Sequence, residues 1–135
     1  MAVPVPNQNV LRAMSMAASH FPDIGYCYYR AKRIQQLMNC GSVYTFSDVD
    51  YNFSFQHSNT NGLSYHRDII IPHDEFYRNE TQWAFHTVYE LDGIVYTYEI
   101  NNYCMLFRDY KKRLQALNNG RVVVRSEKKS YPMRY

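Results

Sequence analysis

The sequence lacks the features that mark disulfide-rich, zinc-binding and membrane-spanning proteins. Its three cysteines are odd in number, widely spaced and without a C-x-x-C pair, which argues against a disulfide framework or a structural zinc site. We therefore predict reduced core thiols at Cys27, Cys40 and Cys104. No window approaches the roughly 18 consecutive apolar residues that a membrane span requires, and residues 1–20 contain no basic stretch ahead of an apolar run. These absences predict a cytoplasmic protein with no membrane partner, with a nuclear location left open.

Glycine-dependent motifs are also missing. The chain has five glycines and contains no G-x-S-x-G, Walker or dinucleotide-binding pattern, and it lacks the sequence signature of RNA-recognition domains. We therefore predict no cofactor and no metal site. Because there is no internal repeat, low-complexity tract or Gly/Ser linker, residues 1–135 are predicted to form a single domain with flexible ends at 1–8 and 128–135.

Acidic residues are scarce near the end of the chain, where basic residues are concentrated. Nine of the fifteen Lys and Arg residues fall within residues 108–135, which contain only Asp109 and Glu127 as acidic residues and so carry about +7. Residues 1–107 hold six basic and ten acidic residues and carry about −4. Such a division indicates that one face of the protein meets a polyanion or an acidic partner.

The apolar periodicity predicts an α+β domain. Its parts are two N-terminal helices, an antiparallel Tyr-rich sheet of four or five strands, a basic third helix packed on one sheet face, and a short C-terminal strand. Helical spacing of apolar residues covers residues 10–21 and then residues 24–38, the second run lying between an Asp23 cap and a Gly41 stop.

Alternating apolar and polar residues predict a long strand at residues 49–57. We expect the following loop to be longer than a two-residue Asn61-Gly62 turn, because the longer loop sets Phe53 opposite Ile69 and keeps the apolar faces together.

A second hairpin is predicted around Asp92-Gly93, which supplies a two-residue turn. This turn would pair Leu91 with Ile94, Tyr89 with Tyr96, Thr87 with Tyr98, and Phe85 with Ile100. The third helix is predicted to include Tyr103, to continue to Leu117 and to end at Asn119-Gly120, with the last strand at residues 122–124.

The predicted binding surface combines the third helix with the C-terminal segment. Arg108, Lys111 and Lys112, with Gln115, would occupy the helix face opposite its apolar seam. The full candidate set is Arg108, Lys111, Lys112, Arg113, Arg121, Arg125, Lys128 and Lys129. Because such a set can neutralise several phosphates, we predict a non-enzymatic protein that binds RNA or single-stranded DNA with weak sequence specificity. The alternative is that the same surface docks an acidic protein or builds a homo-oligomer.

Two groups of residues are candidates for catalysis, under the third hypothesis of a His-dependent nuclease or metal enzyme. Residues 57–75 hold three of the five histidines, and His66-Arg67-Asp68 has the H-x-D spacing of an iron site, although an exposed loop or cap explains this stretch better. The predicted hairpin register sets His86 opposite Glu99 on its second face, where an imidazole beside a carboxylate could act as a general base or form a surface contact. No Ser or Cys nucleophile can be assigned to this pair from the sequence.

Overall fold

Three helices and an antiparallel sheet build an α+β fold, seen here in a computed structural model that describes residues 4–51, 68–72 and 81–128. The predicted fold class and element order are confirmed: two helices, the sheet, a third helix and a C-terminal strand. In chain order the elements are α1 (Gln8–His20), α2 (Cys27–Met38), β1 (Ser42–Asp48), β2 (Ile69–Ile71), β3 (Thr81–Trp83), β4 (Phe85–Leu91), β5 (Ile94–Tyr96), β6 (Cys104–Leu106), α3 (Phe107–Leu117) and β7 (Val122–Lys128).

Five of the strands form one sheet in the order β6-β5-β4-β1-β7, and β2 and β3 form a separate two-stranded sheet. Strand β1 is antiparallel to both of its neighbours: Phe46 is opposite His86 of β4 on one side and Val124 of β7 on the other. Six of the seven β1 residues are buried. A strand covered on both faces shows no alternation of apolar and polar residues, and this is why the sequence did not predict β1.

The hydrophobic core is divided between the two faces of the sheet, because successive strand residues point to opposite sides. Helices α1 and α2 cover one face, which presents Val43, Tyr89 and Tyr96. Helix α3 and strand β2 cover the other face, which presents Val88 and Val95. The tyrosines of the sheet centre are therefore core residues.

The helix ends are close to their predicted positions. The Asn7 side chain caps α1 by accepting the backbone N–H groups of Asn9 and Val10 at 2.8 and 3.4 Å. Helix α2 ends at Met38 and is closed by Asn39 in the left-handed conformation, with φ of 60°. The predicted stop at Gly41 is thus two residues too late.

The Asp92-Gly93 turn is confirmed, with φ of 54° and 80° at its two residues. Two of the four predicted pairs form, Leu91 with Ile94 and Tyr89 with Tyr96. The outer two pairs are wrong, Thr87 with Tyr98 and Phe85 with Ile100. Strand β5 ends at Tyr96, and the Thr97 N–H instead donates to the Tyr103 carbonyl at 3.1 Å, so the chain turns away from β4 and returns as β6.

The third helix begins later than predicted. Tyr103 is not part of α3: it ends a distorted 3₁₀ turn, Asn101–Tyr103, is exposed and has φ of 60°, and the helix starts at Phe107. Gln115 does not face outward, because its amide exchanges hydrogen bonds with the backbone of Val122 at 2.7 and 3.2 Å. The predicted end of the helix is confirmed, since the chain turns at Asn119-Gly120 with positive φ at both residues.

The strand predicted at residues 49–57 is wrong at its start. Strand β1 ends at Asp48, and the chain turns there, with the Asp50 N–H donating to the Asp48 carboxylate at 2.9 Å. Residues 52–57, and with them the predicted pairing of Phe53 with Ile69, lie outside the described residues.

None of the helices in the described ranges is long and apolar enough to cross a membrane.

Candidate active site

His86 and Glu99 meet in a buried ion pair. The His86 Nε2 atom is 3.2 Å from Glu99 Oε1, and the two side chains are only 6% and 18% exposed. The predicted contact between these residues is therefore confirmed, but the idea of a surface contact between paired strands is wrong. Glu99 lies in the turn after β5, and this turn brings its carboxylate to the start of β4, where His86 is located.

The Thr97 side chain contacts both members of the His86–Glu99 pair. Its buried hydroxyl lies 3.2 Å from His86 Nε2 and donates a hydrogen bond to the other carboxylate oxygen of Glu99. The turn that carries both residues is anchored by Tyr98, whose hydroxyl donates to the Met14 carbonyl of α1 at 2.7 Å. The orientation of the imidazole is thus fixed by groups that are themselves held in place.

Cys27 is the residue that sequence reasoning missed. It is the first residue of α2, lies 59 positions before His86, and lines the same cavity as His86, close enough for each group to shift the pKa of the other. Because His86 Nε2 faces Glu99 and Thr97, Nδ1 is the ring nitrogen left for the thiol. No local spacing signals this contact, since it forms only when α2 packs on the sheet.

The local sequence explains why Cys27 starts a helix. The Asp23 carboxylate accepts the Gly25 N–H at 2.8 Å and caps a 3₁₀ turn, Ile24–Tyr26, which leads directly into α2. Tyr26 provides no side-chain cap for α2. The positive end of the helix dipole therefore acts on the Cys27 thiol, a position that favours the thiolate.

The three side chains also shift one another's protonation. Burial by itself would lower the pKa of His86, but the charge of Glu99 and hydrogen bonds to Cys27 and Glu99 outweigh burial and raise that pKa to about 10. Burial would raise the pKa of Glu99, yet the charge of His86 lowers it to about 2. For Cys27, the hydrogen bond and charge of His86 similarly overcome burial and lower the thiol pKa. The shifts of His86 and Glu99 favour an imidazolium and a carboxylate, and the shift of Cys27 is in the direction of the thiolate.

These groups line a cavity of about 190 Å³ between α2, the start of β4 and the 97–99 turn. Cys27 is half-buried and lies on the cavity wall, as do His86 and Glu99. The other two cysteines differ: Cys40 is exposed and Cys104 is buried, and all three thiols are free. The prediction of core thiols is therefore right for Cys104 and wrong for Cys40.

Tyr110 of α3 adds a buried hydroxyl near the same charges. Its side chain is fully buried, and no hydrogen-bond partner for the hydroxyl is found in the part of the chain that the structure describes. Burial first, and then the negative charges of Glu99 and Cys27, raise the pKa of this hydroxyl well above its ordinary value. The hydroxyl therefore stays protonated.

The predicted basic surface is divided by the fold. Arg108, Lys111, Lys112 and Arg113 are exposed on α3. Arg125 is also exposed, but its side chain lies on the same side of β7 as that of Glu127. The Glu127 carboxylate contacts α2, and α2 covers the sheet face opposite to the one that α3 covers. The side chain of Lys128 and all of Lys129 lie outside the described residues. Among the candidates that the structure describes, the four residues of α3 and Arg125 therefore lie on opposite faces of the sheet.

Arg121 is committed to contacts within the protein. Its guanidinium binds the buried carboxylate of Asp48 at 3.0 Å and the exposed carboxylate of Asp50 at 2.7 Å. These two carboxylates neutralise its charge, so it adds little to a surface for polyanions.

In the described ranges, no three His, Cys, Asp or Glu residues are arranged to hold a metal ion, and His66 lies outside those ranges. The chain matches no family model, no curated protein and no solved structure. Its function is therefore inferred from the geometry of the site: a thiol on a cavity wall, an imidazole beside it, and a buried carboxylate that orients the imidazole.

Proposed function

We propose that the protein is a cysteine-dependent acyl-transfer enzyme that cleaves an amide, ester or thioester bond. The observation that carries this proposal is that one cavity is lined by the Cys27 thiol and by the His86 imidazole, whose Nε2 atom is held by the buried Glu99 carboxylate. A nucleophile, a base and a group that orients the base are the recurring parts of such sites, and they occur on unrelated folds.

Each residue would have one role in the reaction. The Cys27 thiolate attacks the carbonyl carbon, forming a carbon–sulfur bond while the carbonyl π electrons move to oxygen. The N-terminal end of α2 stabilises the resulting oxyanion, because its backbone dipoles favour negative charge there. When the intermediate collapses, the bond to the leaving group breaks, and His86 Nδ1 gives the leaving group its proton.

The second half of the reaction regenerates the thiolate and the imidazolium. Water attacks the thioester carbonyl carbon as His86 takes a proton from it, and the carbon–sulfur bond then breaks to release a carboxylic acid. Glu99 and Thr97 keep Nδ1 directed at Cys27 throughout, and the carboxylate stabilises the imidazolium each time it forms.

The test is acylation by p-nitrophenyl acetate. We expect a burst of p-nitrophenolate equal to the protein concentration, with the acetyl group located on Cys27 by peptide mass spectrometry. Cys27→Ala should abolish the burst, and His86→Gln should slow it at least about a hundredfold, the lower end of what a general base contributes. Cys40→Ser, a change at an exposed cysteine outside the cavity, serves as the matched control and should leave the burst unchanged.

Circular dichroism of each variant separates loss of chemistry from loss of fold. The proposal is wrong if folded wild-type protein is acetylated no faster at Cys27 than at Cys40, or if folded His86→Gln reacts as fast as the wild type.

A second candidate function uses the outer face of α3. We propose that Arg108, Lys111 and Lys112, exposed within two turns of one helix, contact a polyanion such as single-stranded nucleic acid. Binding of a random oligonucleotide should weaken as salt rises and should be lost in Lys111→Glu/Lys112→Glu. Arg12→Glu on α1, another exposed cation, is the control. Absence of binding at low salt would exclude this candidate and leave an acidic protein as the partner of α3.

A further inference from the structure

Arg30 lies one helical turn after Cys27 on α2 and lines the same cavity. Residues three positions apart on a helix are neighbours, with about 5–6 Å between their Cβ atoms. Three contacts fix its guanidinium: Nε donates to the Phe21 carbonyl at 2.7 Å, Nη2 donates to the Pro22 carbonyl at 2.9 Å, and the group lies 4.6 Å from the centre of the Tyr98 ring. A permanent positive charge is therefore held at the wall of the cavity that Cys27 also lines.

One edge of the Arg30 guanidinium has no hydrogen-bond partner among the described residues. The Nε and Nη2 edge is occupied by the two carbonyls, whereas no partner for Nη1 is found among the residues that the structure describes. The end of the guanidinium formed by Nη1 and Nη2 therefore has two parallel N–H groups. This is the geometry that binds a carboxylate through both of its oxygens.

The charge of Arg30 has no carboxylate partner within the described ranges. Glu99 is the one acidic residue among the described residues that line the cavity, and both of its oxygens are engaged by His86 and Thr97. The negative charge of Glu99 is thus committed to His86, and the positive charge of Arg30 is left for a substrate that supplies an anion.

We propose that Arg30 selects acyl substrates that carry a carboxylate close to the bond being cleaved, and binds that carboxylate through Nη1 and Nη2. This inference rests on the proposed reaction of Cys27. The neutral alternative is that Arg30 only ties the α1–α2 connection to the helix through the Phe21 and Pro22 carbonyls, in which case its removal would affect charged and uncharged reagents alike.

Alkylation of Cys27 by iodoacetate and by iodoacetamide tests the proposal without a known substrate. In both reactions the thiolate forms a carbon–sulfur bond and iodide leaves, and only iodoacetate carries a carboxylate. The rates are measured in Cys40→Ser protein by mass spectrometry of the Cys27 peptide. We expect Arg30→Gln to lower the ratio of the iodoacetate rate to the iodoacetamide rate about threefold or more, the effect of a unit charge about 6 Å away in a medium as polar as water.

Arg33→Gln is the matched control, because it removes the same charge from α2 at a residue that bonds to Gln36 and does not line the cavity. It should leave the ratio unchanged. Since His86 is present in every variant, its attraction for iodoacetate does not alter the comparison. Arg30→Met, which keeps the apolar stem against Tyr98, replaces Arg30→Gln if the latter does not fold.

The outcomes separate the two proposals. An unchanged ratio in the Arg30 variants, or an equal fall with both reagents, overturns the carboxylate preference and leaves the reactive cysteine intact. Failure of wild-type Cys27 to react with either reagent overturns the proposed enzyme and the role of Arg30 with it.

Discussion

Replacing Glu99 with Gln should destabilise the protein in a way that depends on pH. The substitution keeps the shape of the side chain and removes the charge that faces His86. A rise of the His86 pKa from 6.5 to about 10 corresponds to about 5 kcal/mol of favourable interaction at 1.36 kcal/mol per unit. Because His86 can lose its proton in the variant, we expect a smaller loss, about 3 kcal/mol in the free energy of unfolding, at the lower limit for breaking a buried pair.

The pH range in which Glu99→Gln is most destabilised follows from the pKa shifts of His86 and Glu99. The raised pKa of His86 gives stability that is fully present below 6.5 and is lost as pH rises through about 10. The lowered pKa of Glu99 gives stability that is present above 4.5 and is lost as pH falls through about 2. The difference in unfolding free energy between wild type and Glu99→Gln should therefore be largest between about pH 4.5 and 6.5 and should narrow on both sides of that window.

Urea unfolding followed by circular dichroism at several pH values measures this difference. Glu127→Gln is the matched control, because Glu127 forms an exposed pair with Lys32 at 3.3 Å, and such pairs contribute under about 1 kcal/mol. A difference for Glu99→Gln that stays constant with pH, or that grows above pH 6.5, would refute the assignment of a charged His86–Glu99 pair.

Three further substitutions should change stability, each measurable by urea unfolding. Tyr110→Phe removes a buried hydroxyl that has no partner among the described residues, so we expect a gain of about 1 kcal/mol. Gly41→Ala should cost more than about 2 kcal/mol, because a Cβ at Gly41 would overlap the ring of Tyr89 and because φ is 89° there. Arg121→Gln removes the cation beside the buried Asp48 carboxylate and should lower the free energy of unfolding, because that carboxylate then stays buried without the guanidinium.

The elements that the sequence predicted well are those with one buried and one exposed side. Helices α1 and α2 each cover a single face of the sheet, so their apolar residues recur at helical spacing and identify both helices. Strand β1 has the opposite character, since it is central and buried on both faces. Its sequence contains apolar residues, hydroxyls and one carboxylate, and that carboxylate is compensated by Arg121 from a segment 73 positions away. Such long-range compensation cannot be seen in a local pattern.

The hairpin shows where a local rule stops being sufficient. The Asp92-Gly93 turn determines the pairing of the residues next to it, and those pairs form as predicted. Further from the turn, tertiary contacts determine the path of the chain: the Tyr98 hydroxyl reaches the backbone of α1, and Ile100 is buried on the α3 side of the sheet. The same departure from the sheet is what delivers Glu99 to His86, so the error in the predicted register lies at the candidate active site.

The site itself could be predicted only in part, because its members come from segments that meet through packing. His86 and Glu99 were paired for an incorrect reason, whereas Cys27 had no distinguishing signal: a cysteine at the first turn of an amphipathic helix also fits a core position. Its significance appears when α2 lies across β4, which brings a thiol, an imidazole and a carboxylate together beside a cavity. Helix α3 brings a fourth group, since the buried Tyr110 hydroxyl lies close enough for the charges of Glu99 and Cys27 to raise its pKa. The charges of Glu99 and Cys27 therefore act on groups that belong to both sheet faces, His86 beside α2 and Tyr110 on α3.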